Sequence, residues 1–239
     1  MEKIAAGIID KLSIIGFFNV IITGGVFLYG ISPILDRYVP GLFYSSLGVE
    51  NNLEKIIVIC LLCYIFGSAI KSMQSVLFKG VRTRIVNECL SCAEYTQKKG
   101  RGNDIIKNKY KREGIIALAV KLFKEKELGD FDPEDKDMNQ CFFEYCAYSN
   151  LIKGYGGRAE QFSESATFYE QLVVAFFTLV TVGVLLSLFT DNQVWIYCLG
   201  YLAMGGVFMS RAYICRLNWV RTVFSTYEAV ADKEAEKKA

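Results

Sequence analysis

The apolar positions of this chain are not interleaved with its polar ones. They gather into four blocks, and most of the charge lies between the blocks. Ser13 to Leu35 runs 23 residues without a charge, as "SIIGFFNVIITGGVFLYGISPIL". At about 1.5 Å per helical residue this covers the roughly 30 Å of bilayer hydrocarbon. Ile56 to Ile70 is uncharged, Lys71 interrupts, and apolar character resumes to Phe78 before stopping at Lys79. Gln171 to Thr190 is a clean block of 20, and Val194 to Ser210 gives 17 before Arg211. The pattern predicts an all-α polytopic membrane protein, with four transmembrane helices arranged as two hairpins around a helical insert. The expected spans lie near 13–35, 54–78, 169–190 and 193–213. The chain then divides into hairpin 1 (1–79), a helical domain (80–163), hairpin 2 (164–223) and a charged tail (224–239). A removable signal peptide does not fit the first block, which is too long and lacks a cationic start and a small-residue cleavage site.

The insert is patterned for helices. Span two continues as "GVRTRIVNECLSCAEYTQKKG" toward the Gly100/Gly102 punctuation. A second helix follows in "DIIKNKYKREGIIALAVKLFKEKE", where Ile115, Leu118 and Leu122 step by three and four along one face. "GDFDPEDKDM" reads as a break and a restart, with Asp132 as cap, Pro133 in the first turn, and Glu134 and Asp135 at the positive end of the dipole. The helix holding "NQCFFEYCAYSNLIK" is expected to end at "GYGGR", and a further helix from Arg158 to feed span three.

Charge adds direction. The segment from Lys79 to Arg112 is rich in Lys and Arg, as is the tail after span four, whereas the 36–55 connection holds only Arg37 and Lys55. Cytoplasmic loops of membrane proteins carry the Lys/Arg excess. Both termini and the insert are therefore expected in the cytoplasm, with the chain in the inner (plasma) membrane. The 36–55 connection carries Tyr38, Phe43 and Tyr44, rings suited to a headgroup layer. Composition adds an exclusion: the 239 residues include no histidine, which removes His general bases, His metal ligands and Ser-His or Cys-His pairs. None of the eight cysteines falls in the expected outer segments, so reduced thiols rather than a disulfide framework are expected.

Chemistry-bearing patterns are few. Ser68 and Lys71 have the S-x-x-K spacing of a serine/lysine catalytic pair, but no S-D-N or K-T-G element accompanies them. The bland account is a small-residue face with a snorkelling lysine. Ser68, Ser72 and Ser75 step along span two toward Lys79 and Arg82. Gly16, Thr23 and Gly30 recur every seven in span one beside Asn19, and Ala203, Gly206 and Ser210 align in span four. Such stripes suit close helix packing. The sharper alternative is that the span-two stripe lines a water-filled path in a homo-oligomer. Lys71 and Arg211 hold matching places near the inner ends of two short spans, for lipid-phosphate contact or for a cationic pore mouth. Lys98, Lys99, Arg101, Lys107, Lys109, Lys111 and Arg112 form a basic patch. It suits anionic membrane lipid or a soluble cytoplasmic protein partner better than nucleic acid. Cys89-x-x-Cys92 and Cys141-x4-Cys146 lack a knuckle turn, and "DFDPEDKD" lacks an EF-hand's sixth-position Gly and final Glu, so no metal and no cofactor is expected.

A faint internal repeat remains: Gly67 precedes Val81-Arg82-Thr83 as Gly206 precedes Val220-Arg221-Thr222, which a duplicated hairpin would leave behind. The two hairpins around a helical insert, together with "GRAEQFSESATFYEQLVVAFF" entering span three and "SRAYICRLNWVRTVFSTYEA" leaving span four, resemble small four-span membrane proteins of prokaryotic anti-phage defence systems. The resemblance is one of layout and transfers no functional residue. It implies a non-enzymatic effector that oligomerises and permeabilises the inner membrane, or a membrane sensor that holds a soluble partner. A constitutive ion channel or transporter, and a membrane scaffold, are the alternatives.

Overall fold

The computed structural model describes residues 2–35, 52–90, 109–188 and 194–236. Among the described residues the chain is all-helical: α1 (Glu2–Leu35), α2 (Asn52–Leu77), α3 (Lys79–Leu90), α4 (Lys109–Glu125), α5 (Lys136–Ile152), α6 (Gly157–Ser187) and α7 (Val194–Glu236). Four of these, α1, α2, α6 and α7, are long and apolar enough to cross a membrane. The four-span, all-α reading of the hydropathy pattern therefore holds.

The helices sort into two compact units. A membrane unit comprises Met1–Phe78 and Glu164–Tyr213; a helical unit comprises Lys79–Ser163 and Ile214–Ala239. The second hairpin thus gives up its chain to the helical unit at Tyr213, ten residues before the expected boundary at 223. The reason is that α7 does not become a solvated tail. It continues as helix, and its Leu217, Val220, Val223 and Phe224 enter the apolar core of the helical unit.

That core collects Ile85, Val86, Cys89 and Leu90 from α3, Ile115, Ala119, Leu122 and Phe123 from α4, and Phe142, Phe143 and Cys146 from α5. Aromatic rings tie it together: Phe142 stacks on Phe224 at 5.8 Å, and Phe143 meets Trp219 edge-on at 4.8 Å. Such pairs add about 0.5–1.5 kcal/mol beyond the area they bury. The face read from Ile115, Leu118 and Leu122 is inward, with Leu118 only half-buried and Ala119 and Phe123 completing it.

Two local expectations shift. The helix after the acidic run is capped by Asp135, not Asp132: its carboxylate accepts from the Asp137 and Met138 backbone N–H groups at 2.8 and 3.2 Å. Asp132 instead closes a turn by accepting from the Glu134 N–H at 2.9 Å. Of two competing aspartates, the later one has the helical N–H groups two and three residues ahead of it. Span two is also not one uninterrupted rod. A turn at Phe78 separates α2 from α3, although the Phe78 N–H still bonds the Gln74 carbonyl at 3.0 Å. The expected continuation of that helix past Leu90 lies outside the described residues.

In the membrane unit, α1 and α2 pack almost backbone to backbone. A Cβ at Gly24 would collide with the Cys63 carbonyl oxygen, and one at Gly67 with the Val20 carbonyl oxygen. Glycine is required here because any side chain would force the helices apart. On α2 the buried positions Cys63, Gly67, Ile70 and Gln74 step by four, three and four, the period of a single packed face.

Candidate functional site

The most unusual feature of the membrane unit is a set of buried polar side chains on three helices: Thr23 of α1, Gln74 of α2, and Glu170 and Gln171 of α6. Each is at most 2% exposed. Gln74 sits on the same face as Gly67, two turns along α2, so the glycine contact carries its amide inward. There its Nε2 donates to Glu170 Oε2. Thr23 lies one residue before Gly24. Its hydroxyl is 2.8 Å from the Asn19 carbonyl oxygen and 3.4 Å from Gln171 Oε1. A polar group withdrawn from water needs such partners, and an ionisable group inside a membrane unit marks a site. The set joins α1 and α2 to α6 through side chains that have two possible hydrogen-bonding senses: amides give and accept, and a carboxyl does either according to its proton.

Near the other end of α1, Tyr201 of α7 donates its hydroxyl to the Gly30 carbonyl oxygen at 2.6 Å, and Leu179 of α6 covers Gly30. Phe176, Phe208 and Tyr169 stack between α6 and α7. Gly205 receives Phe176 and Phe177.

The residues singled out from sequence fall on both sides of this packing. Thr23 and Gly30 are buried at helix contacts. Asn19 is half-buried and contributes its carbonyl to Thr23. Gly16 and Gly206 have no neighbour within 4 Å of a Cβ position, so neither is a helix contact among the described residues. Ser210 is exposed and donates to the Gly206 carbonyl oxygen at 3.2 Å. Ser72 and Ser75 are exposed and Ser68 half-buried, on a face of α2 turned away from the α1 contact. Ser72 and Ser75 donate to the Ser68 and Ser72 carbonyl oxygens at 3.1 and 2.8 Å. Lys71 and Arg211 stand exposed on different helices. Of the basic patch, Lys98, Lys99, Arg101 and Lys107 lie outside the described residues; Lys109, Lys111 and Arg112 fall in the first turn of α4.

In the helical unit Cys89 and Cys146 are core residues, while Cys141 is exposed and Cys92 lies outside the described residues. Burial pushes the Cys89 thiol up to about 12, against the opposing pull of the Arg221 charge, and raises the Cys146 thiol further. Neither is a ready nucleophile or thiolate ligand at neutral pH. Arg216 is 2% exposed, with its guanidinium over the Trp219 ring at 4.8 Å and a nitrogen 3.4 Å from Ser163 Oγ.

Sequence reasoning missed Gln74, Glu170, Gln171 and Arg216. The signal was present: Gln74 continues the Cys63–Gly67–Ile70 spacing, and Glu170-Gln171 opens the cleanest apolar block in the chain. No family model matches this chain, and no curated protein and no solved structure matches it either.

Proposed function

We propose that this protein is a non-enzymatic, multi-pass component of a bacterial inner membrane that self-associates and acts as a membrane effector in a defence or stress response. In this reading both termini and the helical unit face the cytoplasm, and the basic segment before α4 rests on anionic lipid. One observation carries it. The outward faces of α2 and α7 are the least covered of the four spans, each with 17% of its most apolar window buried, yet they carry Lys71, Ser72 and Ser75, and Ser210 and Arg211. A face meant only for lipid has no use for a lysine, which costs about 2.5–3.5 kcal/mol at mid-membrane on insertion scales. Covering α2 with a second copy removes that face from lipid, and closed cyclic symmetry is the commonest arrangement of soluble homo-oligomers.

The helical unit favours a second reading, in which the protein is a scaffold or sensor for a soluble partner. Tyr148, Leu151, Ile152 and Tyr155, near the end of α5 and just past it, are 50–65% exposed and form an apolar surface outside the membrane unit. Such surfaces mark interaction sites.

The experiment is expression of the full chain with its neighbouring genes in a phage-challenged bacterium, following membrane potential with a dye and self-association by crosslinking through Ser72→Cys. Depolarisation on challenge with crosslinked copies is expected. Unchanged potential and phage growth, with no crosslinked species, sinks the effector reading; crosslinking without depolarisation leaves the scaffold.

A further inference from the structure

We infer that α2 lines an anion-selective water path in the oligomer, with Lys71 as the residue that sets the selectivity; this rests on the self-association proposed above. Lys71 is not at the rim of its span. Beyond it toward the C-terminus of α2, Met73, Val76 and Leu77 are 45%, 75% and 61% exposed. The next cation, Lys79, lies eight residues on, about 12 Å along a helix. By level along the axis, Lys71 thus stands before the apolar residues of α2 end, although Met73, Val76 and Leu77 lie on other faces and the residues one turn on from Lys71 are Gln74 and Ser75.

Snorkelling is the ordinary remedy, but the helix opposes it. Every Cα–Cβ bond of an α-helix tilts toward the N-terminus. For Lys71 that direction is the middle of the span, so a chain reaching the nearer water must double back. Among the described residues nothing within the chain pairs with Lys71. The described acidic side chains of the membrane unit are Glu54, Glu164 and Glu170. Glu170 is buried against Gln74, Glu54 lies 17 residues back on the same helix, and Glu164 is six residues before Glu170 on α6. A second copy arriving by cyclic symmetry brings another Lys71 at the same level rather than a carboxylate.

Water and mobile anions are what remains to satisfy a ring of ammonium groups, and rings of Lys or Arg are how pores favour anions. The neighbouring face is compatible with water. Ser72 and Ser75 spend their hydroxyl protons on their own helix, which leaves oxygen lone pairs directed outward. The ligand class is a small hydrated monovalent anion, for which chloride is the probe.

The test uses the purified full chain in planar bilayers under a KCl gradient, with reversal potential as the readout. The wild type and Lys71→Arg are expected to conduct with chloride preferred over potassium. Lys71→Glu is expected to change that permeability ratio by about tenfold or more toward potassium. Conduction with a preference unmoved by Lys71→Glu overturns this inference while leaving the oligomeric pore standing. Absence of conduction at high protein density, together with equal labelling rates in the measurement below, overturns the pore itself. A second measurement guards against misfolded variants and closed states. In a Cys60→Ala, Cys141→Ala background, an anionic membrane-impermeant thiol reagent should label Ser72→Cys and Ser75→Cys far faster than Leu77→Cys, which lies on a different exposed face of α2. Equal rates at all three place the face in lipid and end the proposal.

Discussion

Cys89 shows how far a single side chain's chemistry is decided by its neighbours. Its ordinary value is 9.0, and burial in the α3–α4–α5–α7 core lifts it to about 12. The folded state therefore keeps a proton that the unfolded chain releases above pH 9. Below that pH both states hold it and nothing is lost. Between pH 9 and 12 the unfolded state gains, so stability of the helical unit falls by up to about 1.4 kcal/mol per pH unit for this thiol alone. Denaturant melts across that range should show the fall, and Cys89→Ala should make it shallower. A second check needs no titration. N-ethylmaleimide at pH 7 should modify exposed Cys141 readily and leave Cys89 and Cys146 untouched until denaturant is added.

At the scale of elements, the helices and their order were legible in the sequence because hydropathy and helical period report burial directly. The choice of packing face was not. Span two contains two interleaved stripes of the same spacing, Cys63–Gly67–Ile70–Gln74 and Ser68–Ser72–Ser75. Period alone cannot rank them, and small hydroxyl residues look as suitable for packing as glycine. The backbone decides: a carbonyl seated on Gly67 leaves no room for even a serine Cβ. The same happens on α7, where Gly205 is buried and Gly206 open. This also bears on the internal repeat. Gly67 matches Gly206 in sequence register, but Gly205 in burial, as Ile85 and Val86 match Val223 and Phe224. The identical Val-Arg-Thr triplets are thus one residue out of step with the buried faces. The contrast gives a prediction. Gly67→Ala should lower the thermal stability of the detergent-solubilised protein by about 1–3 kcal/mol or more, since the α1 backbone must move. Gly206→Ala should leave it within about 0.5 kcal/mol or raise it. Equal effects would show that the α1–α2 crossing is not the close contact described.

At the scale of the whole molecule, the sequence suggested a helical domain of residues 80–163 set between two hairpins. The buried polar set and the helical-unit core were both hidden for one reason: each is assembled from helices far apart in the chain, and no local pattern announces which distant residues will meet. Leu217, Val220, Val223 and Phe224 close the core from the far side of the fourth span. A fragment of residues 79–163 is therefore expected to lack a cooperative thermal transition by circular dichroism. Adding a peptide of residues 214–236 in trans should restore one. A sharp melt from the fragment alone would refute the shared core.

That shared core also fixes an order of events at the ribosome. The first three helices of the helical unit are made long before Phe224. At 5–20 residues per second, the 61 residues from Ser163 to Phe224 take roughly 3–12 s. Through that interval two further spans must enter the bilayer while Phe142, Phe143 and Cys146 wait without their lid. A chain cut short after span four can thus be fully inserted and still leave the core of its helical unit open to proteases.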